Sequence, residues 1–424
     1  MIFIPFFVFV LLFVVYQSVN NFRFGVVSYL ILIYVASSFC AIILDSFFEY
    51  YDSYNVELEP VLIFTFALSL VFLGFFRFRD RDFCCIELSN FKFLRVLEFS
   101  LIPLSLSALV FFTVSAVSAL TGDIDANRIL ISAGDISSLG QFGVINSIFS
   151  LVANLFLLNI VFAFLNLSEG YPGRRSIALL HLVSSTAYIF YILSYAGRDG
   201  VVFWIMSLVF LFLLFRGFMS RENKKIILIG ALLMIIPALI VFMQISVSRF
   251  GGDGSAALLF ALFDYAGQQV FNFNAHYMID PPAMHGAISF EPVVELKSWI
   301  FGDVFTPLDH KVWFEYFLDR GVIPWVFPTF IGSFLHDFGK LGMLLAAFFM
   351  FLLARVTLLC IKRTKTFPFS NFLLFILVFQ IVSWGVFYYR QYSAFYYLVA
   401  MFLLFVVFKF SGRAKSVYIY KVEG

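Results

Sequence analysis

The chain has 424 residues, of which 62% are hydrophobic and 13% are charged. Soluble domains are roughly half apolar and a quarter charged, so this composition excludes a soluble globular protein and indicates an integral membrane protein. The formal net charge of +2 says little by itself, and no nucleic-acid partner is expected.

The apolar runs predict transmembrane helices along the whole chain. About 20 apolar residues cross a bilayer as one helix, and by that measure the sequence predicts about eleven spans. The predicted fold class is therefore all-α, a polytopic membrane helix bundle with one large periplasmic loop of short helices. The predicted spans are 2–19, 24–44, 60–76, 96–120, 142–165, 177–195, 201–218, 226–246, 339–360, 371–389 and 391–410.

These spans divide the chain into three consecutive segments. Residues 1–246 contain transmembrane helices one to eight, and the first helix is expected to stay uncleaved because it has no basic flank or small-residue cleavage site. Residues 247–338 form the large periplasmic loop, whose length of about 90 residues indicates a functional segment. Residues 339–424 contain transmembrane helices nine to eleven and a cytoplasmic tail.

Basic residues are distributed unequally between the alternating loops. All but eight of the 28 Lys and Arg residues fall in one set of loops, and the positive-inside rule makes that set cytoplasmic. The N-terminus is then periplasmic and the C-terminus cytoplasmic. The basic residues predicted to lie outside are Arg128, Arg198, Arg249, Lys297, Lys311, Arg320, Lys340 and Arg390.

Three of these outer arginines lie at the ends of predicted spans. Arg198 lies in a short turn, Arg249 opens the large loop, and Arg390 lies between the last two spans. Arginine binds phosphate oxygens through a planar fork that stays charged, so these residues are predicted to bind a pyrophosphate with its lipid tail in the bilayer. The alternative is an interfacial anchor at each position. Secondary candidates for site residues are Arg128, Arg320 and Asp199.

His336 and Asp337 close the large loop at the mouth of the ninth span. An imidazole or a carboxylate at this position can act as a general base on a sugar hydroxyl, so both are candidate catalytic residues. The alternative for Asp337 is a helix N-cap, which leaves His336 unexplained.

Other polar residues leave further possibilities open. Asp123 and Asp125 form a D-x-D pattern, which is more typical of a solvated loop than of a metal site, and the outer histidines match no metal-ligand spacing. No metal site and no cofactor are therefore predicted. Alternative bases that the sequence does not rank are Asp264, Glu291, Glu295, Asp303 and Asp309.

Two short motifs together with the predicted topology resemble a known family. Gly197-Arg198-Asp199-Gly200 forms a short outer turn, and the large loop closes with Phe327-Pro328-Thr329-Phe330-Ile331-Gly332 and Asp337-Phe338-Gly339-Lys340-Leu341-Gly342. This pattern resembles the Wzy-type polymerases of bacterial O-antigen and oligosaccharide repeat units. The topological resemblance covers nearly the whole chain, and the motifs cover about thirty residues of it.

The resemblance implies a glycosyltransferase that joins undecaprenyl-pyrophosphate-linked oligosaccharide repeat units into surface polysaccharide. The reaction would take place at the periplasmic face of the bacterial inner membrane. Expected partners are the lipid-linked oligosaccharide, the lipid bilayer and a chain-length regulator.

Two rival functions remain open at this stage. An O-antigen ligase shares the topology and the donor but transfers the glycan to another acceptor, and the large loop lacks the strong His-centred pattern expected of a ligase. A lipid-linked glycan flippase or other transporter is expected to carry charged residues inside its spans and to have short outer loops. The predicted spans are nearly free of charge and one outer loop is long, which favours an enzyme.

Overall fold

The computed structural model describes residues 1–48, 55–79, 82–121, 143–195, 197–233, 236, 255–294, 300, 310–324, 326–389, 394–411 and 416–421. Within these ranges the chain is mostly helical. It divides into two compact units, each assembled from separate parts of the sequence. Unit 1 comprises Met1–Asp82, Leu259–Lys362 and Phe372–Met401, and unit 2 comprises Phe83–Leu258, Arg363–Asn371 and Phe402–Gly424.

The named helices follow the apolar runs of the sequence. In chain order they are α1 (Phe3–Val19), α2 (Val26–Phe47), α3 (Leu58–Phe75), α4 (Phe91–Leu120), α5 (Gly143–Asn154), α6 (Phe156–Leu167), α7 (Arg175–Ser185), α8 (Ala187–Leu193), α9 (Asp199–Phe215), α10 (Ser255–Gly267), α11 (Gln269–Ile279), α12 (His310–Leu318), α13 (Thr329–Thr364), α14 (Phe369–Trp384) and α15 (Phe395–Phe410). Residues 221–233 are also helical.

Within the described ranges, six helical segments are long and apolar enough to cross a membrane, and a seventh results if α5 and α6, which are bent by 42° at their junction, form one span. The shorter helices α1, α14 and α15 are also apolar. This confirms the prediction of a mostly helical, multi-pass membrane protein. The number of eleven spans remains a prediction. The six segments are Val26–Phe47, Leu58–Phe75, Phe91–Leu120, Arg175–Leu193, Asp199–Phe218 and Thr329–Leu359.

Unit 2 also contains a small β-sheet that the sequence-based prediction lacks. Strand β1 (Cys85–Leu88) pairs in parallel with β2 (Thr366–Pro368) and antiparallel with β3 (Val417–Tyr420). The strands come from three distant parts of the chain and have only three or four residues each. Such short runs carry too little periodicity to be recognised locally.

Polar contacts between helices in unit 1 satisfy groups that lipid cannot. The Tyr34 hydroxyl of α2 donates to the carbonyl of Val382 in α14 at 2.6 Å, and the Ser37 hydroxyl of α2 donates to the Gln269 side chain of α11 at 3.0 Å. Because both bonds are buried, water does not compete for them, and they fix the relative positions of neighbouring helices. They connect α2 to α14 and to α11, the helix that carries His276.

The predicted large loop, residues 247–338, contains short helices in its described part. Helices α10, α11 and α12 lie wholly within it, and the first turns of α13 begin at Thr329. The helical geometry of α13 is interrupted at Gly339, where φ is +67° and ψ is −176°. Only glycine adopts this conformation without a steric penalty, so the break falls where the sequence predicts the boundary between loop and span.

Candidate functional site

A cavity of about 440 Å³ lies in unit 1, within the size range of small-molecule binding sites. Its lining combines aromatic rings with a few polar side chains, a composition that lets a small number of hydrogen bonds orient a ligand. The described lining residues include neither Lys nor Arg. The polar members are Ser289, Glu291, Ser333 and His336, and the aromatic members are Trp313, Phe314, Phe327, Tyr388 and Tyr389.

His336 lies on the first, short part of α13, which ends at the Gly339 break. The residue is only 4% exposed, and its ring packs against Trp313 and Phe317 with centroid separations of 5.0 and 5.4 Å. Both aromatic residues belong to α12, so the packing of α12 on α13 encloses the imidazole on this side. The predicted catalytic residue His336 thus lies packed at the wall of the cavity.

A second histidine contacts His336. The Nδ1 atom of His276 lies 2.8 Å from the Nε2 atom of His336. The other ring nitrogen of His276, Nε2, lies 3.0 Å from the carbonyl oxygen of Ile323. His276 is fully buried, and this burial lowers its pKa to about 4, so the ring is neutral near pH 7. Because a carbonyl can only accept a hydrogen bond, the hydrogen of the neutral His276 ring is on Nε2.

Asp337, predicted as a candidate catalytic residue or a helix N-cap, contacts the cavity wall through its carboxylate. The residue is buried, and its carboxylate accepts hydrogen bonds from the backbone N–H groups of Ile288 and Ser289, each at 2.9 Å. Hydrogen bonds to a charged group contribute about 1.5–3 kcal/mol each. Since Ile288 and Ser289 line the cavity, Asp337 holds part of the cavity wall in place.

Two further lining residues are equipped to contact a ligand. Glu291 is exposed and contributes a carboxylate to the cavity. The indole N–H of Trp313 is buried without a hydrogen-bond partner among the described residues, and buried donors in native structures are nearly always paired. A ligand or a water molecule that accepted this hydrogen would complete the site. Glu291 was one of several unranked bases, and its position at the cavity distinguishes it from Asp264.

Arg198 lies in unit 2, immediately before the first turn of α9. The two glycines that flank the turn approach the side chain of Ile192 so closely that a Cβ atom at Gly197 or Gly200 would lie 2.7 Å from it, so the turn requires glycine at both positions. The Arg198 side chain is only 8% exposed. A pyrophosphate would therefore have to approach the small exposed part of the guanidinium group.

Two other predicted site residues, Asp199 and Arg320, lie at helix ends. Asp199 begins α9, where a negative charge stabilises the helix N-terminus. Arg320 donates to the carbonyl of Tyr316 at 2.9 Å, with its guanidinium 3.5 Å above the Tyr316 ring, so it closes the C-terminal end of α12. Arg128, Arg249 and Arg390 lie outside the described residues, as do Asp123, Asp125, Glu295, Asp303 and Asp309. Within the described part of the chain no cluster of metal-ligating side chains occurs.

Unit 2 contains a buried polar cluster around Glu98 that was not among the predicted sites. Glu98 of α4 is fully buried and accepts hydrogen bonds from Arg95 at 2.8 Å, Tyr171 at 2.7 Å and Asn166 at 2.5 Å. His181 lies 3.9 Å from the same carboxylate. The signal was present, because an acidic residue near the start of an apolar span with an arginine three positions earlier indicates a buried pair.

His276 is one of the outer histidines whose spacing in the sequence matches no metal site. Its role depends on two contacts across 47 and 60 residues of chain, and no local pattern marks such a pair. The sequence motif therefore made His336 a candidate but gave no signal for its partner His276. Comparisons with protein-family models, with curated proteins and with solved structures found no match for this chain.

Proposed function

We propose that the chain is a membrane glycosyltransferase that joins lipid-pyrophosphate-linked oligosaccharide repeat units into a polysaccharide, as the resemblance to Wzy-type polymerases implies. One observation carries the proposal: the cavity of unit 1 combines His336 with aromatic rings and hydroxyl groups. Aromatic faces stack against the apolar faces of sugar rings, while a few polar groups orient the hydroxyls. The absence of Lys and Arg from the described lining favours an uncharged sugar as the occupant.

His336 is proposed as the general base. Its ring removes the proton of an acceptor sugar hydroxyl, and the oxygen uses the released electron pair to bond to the anomeric carbon of the donor glycan. The bond from that carbon to the pyrophosphate oxygen breaks, and lipid pyrophosphate leaves with the electron pair. Asp337 supports this step by holding Ile288 and Ser289 at the cavity wall, and it does not itself take the proton.

The leaving pyrophosphate requires cationic partners. Arg198, Arg249 and Arg390 are proposed for this role on the basis of their chemistry and predicted location outside the membrane. The buried position of Arg198 fits an interaction with one edge of the phosphate rather than full enclosure.

The proposed location is the bacterial inner membrane, with a periplasmic N-terminus and a cytoplasmic C-terminus. In this topology residues 1–246 and 339–424 contain the transmembrane helices, and residues 247–338 form the periplasmic loop. The proposed partners are the undecaprenyl-pyrophosphate-linked oligosaccharide, the bilayer and a chain-length regulator. The reaction as written uses no cofactor.

The glycan profile of a strain that lacks the gene tests the function. The deletion strain is expected to show a single repeat unit on its anchor, and the wild-type gene restores a polymer ladder. His336→Gln should leave the single unit, because loss of a general base slows transfer by about 10²- to 10⁴-fold. His285→Gln, at an exposed position outside the cavity lining, is the matched control and should restore the ladder.

Three outcomes would contradict the proposal. An unchanged ladder in the deletion strain excludes a polymerase. Full-length polymer on the lipid carrier without transfer to the cell surface identifies a ligase. A normal ladder with His336→Gln removes the base assignment.

In the same strain, Arg198→Ala is expected to shorten the ladder, whereas Arg175→Ala, which removes an exposed arginine, should not.

A further inference from the structure

The contacts of His276 determine which nitrogen of His336 is basic. Since the hydrogen of the neutral His276 ring is on Nε2, facing the Ile323 carbonyl, its Nδ1 atom presents a lone pair to His336. The Nε2 atom of His336 must then donate to that lone pair. A neutral imidazole has one hydrogen, so the second ring nitrogen of His336, Nδ1, carries a lone pair. Within the described residues, the side-chain hydrogen bonds of His336 are confined to Nε2.

We propose that His276 is a positioning residue that fixes His336 in the tautomer whose Nδ1 atom accepts the proton of the acceptor hydroxyl. The inference rests on the proposed function, because it assigns roles within the same cavity. It goes beyond it by naming the reacting atom and the group that selects this atom. Without such a partner, both tautomers and both ring orientations of His336 would be populated, and only a fraction of the molecules would present a base.

His276 also stabilises the product of proton transfer. When His336 Nδ1 takes the proton, the ring becomes an imidazolium, and its Nε2–H bond to His276 becomes charge-assisted and therefore stronger. The bond is thus worth more in the transition state than in the ground state, which is the condition for accelerating the chemical step. The Ile323 carbonyl prevents His276 from turning its own N–H toward His336.

The other groups that face His336 leave this role to His276. Trp313 and Phe317 of α12 pack their rings against the imidazole, and among the described residues the indole N–H of Trp313 makes no hydrogen bond to it. The backbone N–H of Met284 bonds to the carbonyl of His336, not to its ring. The neighbouring carboxylate of Asp337 is occupied by two backbone N–H groups. The titratable groups that share the cavity with His336 are Glu291, Tyr388 and Tyr389.

Two substitutions of His276 separate positioning from packing. His276→Asn keeps a side-chain acceptor near the position of Nδ1, whereas His276→Leu keeps the bulk and removes the acceptor. The substrate probe is the undecaprenyl-pyrophosphate-linked single repeat unit extracted from the deletion strain. His276→Leu is expected to lower kcat about 10- to 100-fold, the range found for groups that orient a metal-bound imidazole, without a comparable change in KM. His276→Asn should recover most of the loss.

The pH profile supplies a readout that a packing defect alone does not move. The acidic limb of kcat reports protonation of the base in the enzyme–substrate complex. His276→Leu removes the acceptor that stabilises the imidazolium, so this limb should move to lower pH, and His276→Asn should leave it close to the wild-type position. Identical profiles in the wild type and His276→Leu would overturn the proposal.

Solid-state ¹⁵N spectra of histidine-labelled protein in lipid test the tautomer without activity. The expected wild-type signals of His336 are an unprotonated Nδ1 and a protonated Nε2, assigned by their loss in His336→Gln. The opposite pattern in the wild type overturns the proposal even if His276→Leu does not fold. If His336→Gln is fully active, the proposed function loses its base; if it is inactive while His276→Leu behaves like the wild type, only the positioning role fails.

Discussion

His336 in unit 1 and His181 in unit 2 are both buried, but their surroundings differ. His336 uses one ring nitrogen to bond to His276 and lines a cavity. His181 places Nδ1 at 2.8 Å from Asn159 and Nε2 at 3.9 Å from Glu98, so both of its nitrogens face polar groups of unit 2. Burial alone therefore does not distinguish the two histidines, and the role proposed for His336 depends on its position at a cavity.

The polar cluster around Glu98 also bears on the transporter alternative. A transporter is expected to carry ionisable residues inside its spans, and Glu98 lies in the membrane-spanning helix α4. Its partner Arg95 balances its charge, and Asn166 and Tyr171 use its remaining acceptor sites. A cluster that is neutral overall and well hydrogen-bonded fits a structural role that connects α4 to α6 and to the following loop.

The largest effect on stability is expected from the Glu98 cluster. Glu98→Leu leaves Arg95 without its ion-pair partner and removes the acceptor for Tyr171 and Asn166. The free energy of unfolding should therefore fall by about 3–5 kcal/mol. Thermal unfolding in detergent measures the change. Glu222→Gln, which removes the carboxylate of an exposed ion pair with Arg175, is the control and should cost less than about 1 kcal/mol.

The conservative variant Glu98→Gln can break the comparison between the two histidines. If the cluster is structural, the folded fraction of this variant keeps the wild-type kcat. Loss of polymerisation in a Glu98→Gln protein of wild-type stability would show that the cluster around His181 takes part in the chemistry.

The next effect is a pH dependence of stability that originates in unit 1. Burial lowers the pKa of His276 from 6.5 to about 4, so the unfolded chain binds a proton at a pH where the folded protein does not. The stabilisation by neutral His276 is complete above pH 6.5 and is lost as the pH falls toward 4, by about 1.4 kcal/mol per pH unit. The free energy of unfolding, measured between pH 7 and 4, should depend less steeply on pH in His276→Phe than in the wild type. The exposed variant His285→Gln should retain the wild-type dependence.

The smallest effects are expected from exposed ion pairs. Lys340 lies 3.4 Å from Asp280, with the two side chains 38% and 65% exposed, and water screens such a pair strongly. Asp280→Asn should change stability by less than about 1 kcal/mol, and asparagine tolerates the left-handed conformation of this residue, with φ of +46°. An effect as large as that of Glu98→Leu would show that surface charge, and not burial, governs the contribution of ion pairs in this protein.

The periodic and compositional features of the sequence predicted the helical elements well. Long apolar runs require helices in a bilayer, and the described helices outside residues 247–338 overlap predicted spans in units 1 and 2. The break in α13 at Gly339 also falls at the predicted end of the large loop. The sequence marks this position because glycine adopts the positive φ of the break without steric penalty. His336 was accessible to prediction because it stands in a short, polar, turn-rich motif at the mouth of a span.

The sequence by itself determined the membrane class, the helical elements and the candidate His336, because each depends on local composition or on a motif of a few residues. Only the tertiary structure decided that His276 and the Ile323 carbonyl meet His336, that Asp337 binds the backbone of the cavity wall, and that Glu98 is neutralised within unit 2. Each of these contacts joins groups that a hydrogen bond brings together at about 3 Å, and apart from the pair Arg95–Glu98 they are far apart in sequence. Hydrophobic periodicity records which residues face away from lipid, but it contains no information on which distant partners they meet.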